Sequence, residues 1–299
     1  MKWITFGDLH LNKPFPDLIA TKNTKFNNVE DIYAYGLKLY ILDIINKVSD
    51  NKANVVFIGD ITHYNQDKFD RFLDIVDNIL TVKPDFNIFV LIGNHDTSNS
   101  YKLEKAKINK LNGYRNKLTV IKEIQLLSSN NANILFLPYI RTEYILPTIQ
   151  QYRTTNNLVI LSHNNIYTTK YWGSKEVVTF AEIKSINENI RLINGHIHRF
   201  SIEKDYYQIG SAAPTSFKEY FYAVGCCVFD DISLKFNVFK NTKLFFISVN
   251  NSDYIKEARD LLEQAEKHNT IVFLNTPFKE LYNYKTVMVV KNENFFQKS

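Results

Sequence analysis

Three apolar runs in the first hundred residues, at 2–6, 54–58 and 87–92, each stop at a short cluster of Asp, His, Asn and Gly. The clusters read Gly7-Asp8-Leu9-His10, Gly59-Asp60-Ile61-Thr62-His63 and Gly93-Asn94-His95-Asp96. Between the runs the apolar spacing predicts helices. One covers about 28–48 with Leu37, Ile41, Ile44, Ile45 and Val48 on one face; the other carries Phe69, Phe72, Leu73, Val76, Ile79 and Leu80. Runs that are apolar at every position suit strands covered on both faces. The order β-α-β-α-β therefore predicts an α/β fold, with the polar clusters gathered at the carboxyl edge of a sheet. Open α/β sheets place their ligands there. Packing alone does not explain polar clusters at three successive strand ends.

Further apolar runs follow at 134–137, at 158–161 ending in Ser162-His163-Asn164, and at 191–193 ending in Asn194-Gly195-His196-Ile197-His198. The runs at 206–209, 222–229 and 233–239 are separated by turns such as Asp230-Asp231, which predicts an antiparallel second half. After Lys240 the pattern changes. A strand at 244–249 precedes a helix capped by Ser252 or Asp253, with Ile255, Ala258, Leu262 and Ala265 facing inward, and strands at 271–274 and 286–290 close the chain. The expected organisation is a main domain, 1–240, and a small β-α-β-β unit, 241–299, too small to stand alone and so docked on the first.

No apolar run approaches the roughly 18 residues of a membrane span, and Met1-Lys2-Trp3-Ile4 leads into a strand rather than a signal peptide. The only cysteines, Cys226 and Cys227, are adjacent in an apolar run and so point to opposite faces of a strand. That suits a reducing cytosol, the expected location, and core rather than disulfide roles. The net charge of +5 is modest, but between Ser100 and Glu123 seven cations, Lys102, Lys105, Lys107, Lys110, Arg115, Lys117 and Lys122, face only Glu104 and Glu123. This segment is either a solvated helix face or a phosphate-binding patch, with Lys102, Lys105, Lys110 and Arg115 its candidate contacts to a nucleic-acid or other phosphate.

Six of the seven histidines stand at or just past strand ends; His268 is the exception. Asp8, His10, Asp60, Asn94, His163, His196 and His198 make a donor set of imidazole, carboxylate and one amide carbonyl, with no thiolate. It suits manganese, iron or zinc better than a structural zinc site. Seven donors are too many for one ion and enough for two if a carboxylate bridges. Two such ions lower the pKa of a bridging water and clamp an in-line displacement at phosphorus. His95 is then free to protonate or stabilise the leaving oxygen. His63 orients a ligand or acts on substrate, and Asp96 is expected to cap a helix.

The series Asp8-x-His10, Gly59-Asp60, Gly93-Asn94-His95-Asp96, His163 and Gly195-His196-x-His198 resembles the motifs of calcineurin-like metallophosphoesterases over about residues 1–200. Within that superfamily the chain is similar to SbcD-type DNA repair and recombination nucleases, including phage exonuclease subunits. His63 lies three residues after Asp60, as in many members. Gly210-Ser211-Ala212-Ala213-Pro214-Thr215-Ser216-Phe217-Lys218-Glu219 resembles that branch's Gly-Ser-x-Pro…Phe-x-Glu element with one residue added before the Pro, and the β-α-β-β unit resembles its capping domain. The resemblance implies a layered β-sandwich flanked by helices, with a small α+β cap. It assigns Asp8, His10, Asp60 and His198 to one ion and Asp60, Asn94, His163 and His196 to the other, with Asp60 bridging. His95 becomes the transition-state histidine and His63 a residue that positions the DNA phosphate. It further implies manganese-dependent cleavage of DNA, exonucleolytic on duplex ends and endonucleolytic on single strands, an SbcC-type ABC ATPase partner, and a homodimer through the first helices. Asn12 stands where such proteins often have glycine. The chain closes at Ser299, short of the helices that grip the ATPase coiled coil, and Phe295-Phe296 is a poor substitute for them. That leaves either a truncated chain or one without a stable grip on such a partner.

Two other functions compete with the DNA nuclease: hydrolysis of small phosphodiesters or phosphoproteins by the same chemistry, and an inert scaffold on the same fold. The intact donor set argues against the scaffold.

Overall fold

The computed structural model describes residues 1–15, 26, 28–63, 67–97, 102–168, 177–215, 225–249, 251–268, 270–278, 280–281, 284 and 287–290. Ser216 to Glu219 and Phe295-Phe296 lie outside the described residues. The chain begins with β1 (Lys2–Phe6), then α1 (Val29–Lys47), β2 (Ala53–Ile58), α2 (Asp70–Val82) and β3 (Asn87–Leu91). Asn28 starts α1 by accepting the Asp31 amide, as a helix N-cap does. β2 is buried at every position, and it pairs in parallel with β1 on one side and β3 on the other. This half forms as its periodicity requires.

The basic segment does not form a helix. Leu103–Lys105, Lys107–Leu111 and Tyr114–Asn116 are short 3-10 turns that lead into β4 (Leu118–Ile121), a parallel neighbour of β3. Asparagine side chains capture the backbone groups that a helix would use: Asn109 donates to the Leu103 and Glu104 carbonyls, and Asn112 accepts the Val120 amide. Gly113, at φ 82°, turns the chain between them.

Next come β5 (Gln125–Ser129), β6 (Ala132–Leu137), α3 (Thr142–Gln150), β7 (Leu158–Ser162), β8 (Ile166–Tyr167), β9 (Val178–Thr179), α4 (Phe180–Ile186), β10 (Arg191–Asn194), β11 (Ser201–Glu203), β12 (Tyr206–Gln208), β13 (Gly225–Asp230) and β14 (Phe236–Lys240). The antiparallel pairing expected of the runs at 206–209, 222–229 and 233–239 holds for β13 and β14 and is corrected for β12, which runs parallel to β10. β12, β10, β7 and β6 run parallel, with β11 and β5 as antiparallel edge strands, whereas β13 pairs antiparallel with both β1 and β14. Helices α3 and α4 make the parallel crossovers possible. At 9 and 7 residues, with Pro147 inside α3, they are too short for helical periodicity to stand out.

Two six-stranded sheets result, ordered β14-β13-β1-β2-β3-β4 and β11-β12-β10-β7-β6-β5. Trp3, Val56, Ile58 and Leu91 of the first meet Ile134, Phe136, Leu161 and Ile193 of the second in a core between the sheets. The outer face of the first sheet packs on α1 and α2, and that of the second on α3 and α4. Cys226 and Cys227 are free, buried thiols on opposite faces of β13. The layered α/β sandwich flanked by helices is as expected. No helix among the described residues is long and apolar enough to cross a membrane.

After Lys240 come β15 (Leu244–Ser248), α5 (Ile255–Lys267), β16 (Ile271–Asn275) and β17 (Val287–Val290), with the three strands in one parallel sheet. Leu244, Phe246, Ile271 and Phe273 join the core formed with α1, while Val272 and Leu274 pack on α5. The expected caps Ser252 and Asp253 lie instead in a 3-10 turn before α5, and Asn251 accepts the Asp253 amide at its start.

At the end of the sandwich where β1 begins, Asp231 is fully buried and ties both sheets together. It accepts from the Met1 amine at 2.5 Å, the Asn130 amide at 2.9 Å, the Trp3 indole and the Ser129 hydroxyl. Burial pushes its carboxyl up, but these donors overturn that and hold it below the usual range. A carboxyl that titrates below its unfolded value of about 4 stabilises the fold above that pH, and the contribution drains away as pH falls through the folded value. Asp231→Asn should therefore lower the melting temperature at pH 7 by on the order of 5 °C. The gap to wild type should narrow by pH 3, and thermal melts with a pH-independent gap would contradict this.

Candidate metal centre

All seven expected donors converge at the carboxyl ends of the parallel strands. Asp8 and His10 follow β1, Asp60 follows β2, and Asn94 and His95 follow β3. From the second sheet, His163 follows β7, and His196 and His198 follow β10. In one group His10 Nε2 lies 2.9 Å from His198 Nε2, and Asp8 Oδ2 lies 3.4 Å from His198 Nε2. In the other, Asp60 Oδ1 lies 3.3 Å from His163 Nε2, and Asn94 Oδ1 lies 3.0 Å from His163 Nε2 and 2.8 Å from His196 Nδ1. The second oxygen of Asp60 stands 3.7 Å from His10 Nε2, so each of its oxygens faces a different group. His63 and His95 stack on each other at 5.0 Å beyond His10, whose Nδ1 is 3.4 Å from His63 Nδ1.

Lys102, Lys105, Lys110 and Arg115 are not among these groups. They are exposed, with Lys110 paired to Asp67 at 2.7 Å and Arg115 to Asp77 at 2.8 Å.

Three of the donors sit on strained backbone. His10, Asp60 and His196 have φ of 46°, 48° and 66°, a left-handed region that side chains other than glycine's rarely enter. The Asp60 carbonyl holds the first of these bends by accepting the Leu9 and His10 amides at 3.1 and 2.9 Å. Gly59 is needed twice over. Its φ is 72°, and a Cβ there would lie 2.2 Å from His163 Nδ1.

The electrostatics suit divalent cations. Burial pushes both carboxyls up, but the imidazoles overturn this: His163 and His198 lower Asp8, and His163, His10 and His95 hold Asp60 well below the usual range. Burial drives His10 down to about 3, and burial with the charge of His163 drives His196 down to about 4. His163 is the exception, since Asp60 and Asp8 outweigh its burial and raise it to about 9. Near neutral pH the protein alone thus presents two carboxylates, one imidazolium and neutral imidazole nitrogens turned inward. Asp8 Oδ2 is buried and makes no hydrogen bond, and only one proton can sit between the facing nitrogens of His10 and His198. A cation satisfies these acceptors together, so the residues present fit divalent metal ions.

A family profile described as Calcineurin-like phosphoesterase matches residues 1–200, two thirds of the chain. The chain belongs to the calcineurin-like phosphoesterases. Among solved structures, this phosphoesterase is similar to the calcineurin-like phosphoesterase YfkN from Bacillus subtilis, at 10% identity over 80% of this chain and 88% of that one, TM-score 0.43. An archaeal phosphodiesterase shares 11% identity over 80% of this chain and 99% of its own, TM-score 0.40. Pseudomonas putida nuclease MPE shares 10% over 80% and 86%, TM-score 0.32. No curated protein sequence matches the chain.

Several residues of the phosphoesterase's site escape motif reading. Asp96 caps no helix among the described residues; it accepts the Gly93 amide at 2.9 Å and the Thr62 amide at 3.2 Å, stapling the loops after β2 and β3. Burial and the charge of Asp60 raise its carboxyl to about 7. Gln208 donates to the Asn194, Gly195 and Ile197 carbonyls and so clamps the loop that carries His196 and His198. Nothing in its own neighbourhood marks it. Asn12 takes a φ of 65°, a region open to glycine and tolerated by asparagine, and its side chain bonds to the Lys68 carbonyl and to Arg71.

Gly59→Ala should destabilise the metal-free protein by about 1–3 kcal/mol and weaken metal uptake. Gly113→Ala, at a similar φ but with open space around its Cβ, isolates the backbone contribution. Equal losses in urea melts of the two variants would mean that contact with His163 contributes nothing.

Proposed function

We propose that this phosphoesterase is a two-metal phosphodiesterase acting on DNA, exonucleolytic on duplex ends and endonucleolytic on single strands, in repair or recombination. The observation that carries the reading is Asp60, with one oxygen towards His163 and the other towards His10. Asp8, His10, Asp60 and His198 would hold one divalent ion, and Asp60, Asn94, His163 and His196 a second, with manganese the favoured metal. Bound there, the pair would supply an activated water and neutralise charge on the phosphate.

His95 is tied to this centre through its backbone, whose amide donates to Asp60 Oδ1 at 2.8 Å. Its ring is stacked on His63 and held on the outer side of His10, where it protonates the leaving oxygen. Burial, with the charges of His95 and Lys13, keeps His63 neutral at a pKa of about 4, so it meets a phosphate oxygen as a hydrogen-bond donor rather than as a cation. DNA as the substrate draws on the family resemblance of the motifs and on the basic segment. Its ion pairs of Lys110 and Arg115 are exposed and exchange readily for phosphate. An SbcC-type ATPase partner, a homodimer and a cytoplasmic location belong to the same proposal.

End-labelled duplex DNA should be cut with manganese and left intact with chelator. His95→Ser should lose about two to four orders of magnitude in kcat while keeping its metal. Brisk turnover of a small diester with no cleavage of DNA would move the assignment to small phosphodiesters. His196→Ala and His198→Ala should each bind one ion fewer than wild type, and loss of the same single ion by both would break the two-site assignment. Replacing Lys102, Lys105 and Lys110 together should weaken DNA binding and flatten its salt dependence, and an unchanged slope would return the segment to a solvated surface.

A further inference from the structure

The two histidines of the Asp60 group turn opposite nitrogens towards the centre. His163 Nδ1 lies 2.8 Å from the Ile58 carbonyl, which can only accept, so Nδ1 carries the hydrogen and Nε2 faces Asn94 and Asp60. His196 is reversed: Nδ1 faces Asn94 Oδ1 at 2.8 Å, and Nε2 lies 2.8 Å from the side-chain oxygen of Asn165. A ring that must offer a lone pair on Nδ1 needs its hydrogen on Nε2, and the group opposite Nε2 decides whether that tautomer prevails.

We propose that Asn165 is a positioning residue for the metal centre: its carboxamide oxygen accepts His196 Nε2–H and so fixes the tautomer and ring angle that aim His196 Nδ1 at the Asp60 group. Its backbone is built to hold it there. The residue follows Asn164, whose fully buried side chain bonds to the Leu137 and Pro138 carbonyls and to Ser162, and its own carbonyl accepts the Val178 amide at 3.2 Å. The side chain itself is half-exposed, so it can be replaced without opening the core. An amide accepts the hydrogen without adding a further carboxylate beside the buried Asp8 and Asp60. The inference rests on the reading that His196 holds a metal ion.

The test uses the full metal-free chain, titrated with manganese by calorimetry, with bound ions counted by elemental analysis after gel filtration. Asn165→Leu removes the acceptor, and Asn165→Asp retains it in a form that can only accept. The leucine variant should bind one equivalent about 10- to 100-fold more weakly than wild type while melting, metal-free, within a degree or two of it. The aspartate variant should recover wild-type affinity or exceed it. Wild-type affinity in Asn165→Leu, or an aspartate variant as weak as the leucine variant, would overturn the assignment. A wild type that takes up a single ion would overturn the two-ion reading instead, and Asn165 would then stand or fall on whether Asn165→Leu weakens that one.

Discussion

The Asp60 carboxylate is the interaction on which the rest of this structure depends. It is buried beside a second buried carboxylate, Asp8, in a position that without compensation would drive one or both to take up a proton. Instead both are held ionised, because imidazoles from four strand ends surround them. Delivering those rings requires both sheets. β2 lies at the centre of the first sheet, flanked by β1 and β3, and it carries Asp60 to the point where all three strands end. β7 and β10 are neighbours in the second sheet, so His163 and His196 arrive side by side, with ring centroids 5.1 Å apart. Moving any one strand by a residue would turn its donor away from the carboxylates.

The sandwich separates its polar and apolar work along the strands. Its middle is a dry core of aliphatic and aromatic side chains, with Trp3 stacked on Phe229 and Phe89 at 6.0 and 5.8 Å. Polar burial is pushed to the two ends. At the amino end Asp231 is satisfied by the protein itself, through four donors from two segments. At the carboxyl end Asp8 Oδ2 is not, and the donors around it, His10, Asp60 and His196, are strained in φ rather than relaxed. One end binds itself and the other is left with an unsatisfied acceptor, and that asymmetry separates a structural buried acid from a functional one.

The sequence made the site more legible than the fold. Asp8, His10, Asp60, Asn94, His163, His196 and His198 were found because a charged or imidazole group at the end of a fully apolar run has no packing explanation. α1 and α2 were visible because each repeats its apolar face over three or more turns. α3, broken by Pro147, and α4, two turns long, repeat too briefly to register as the crossovers between the parallel strands β6, β7 and β10. β12, reached through turns rather than a helix, looked antiparallel although it runs parallel to β10. The basic segment failed for a different reason: Asn109 and Asn112 bond to backbone groups whose pairing depends on the fold around them. β4 and β5 went unseen behind it.

The remaining hidden layer consists of carboxamides, and their neutrality explains their use. Gln208, Asn194 and Asn164 form a continuous buried chain across the ends of β12, β10 and β7, with Asn194 bonded to both of the others. Each amide both donates and accepts, so it can take over where backbone pairing stops and bind loops that have no regular partner. Carboxylates could bind the same loop amides, but they would attract protons to His163 and His196 and compete with Asp60 for charge. Lysines would do the reverse, stabilising the carboxylates without a metal. The amides that frame His163 and His196 carry no charge, and the framing carboxyl on the first sheet, Asp96, is pushed up to about 7 by burial and Asp60, so Asp8 and Asp60 remain the buried anions that set the demand.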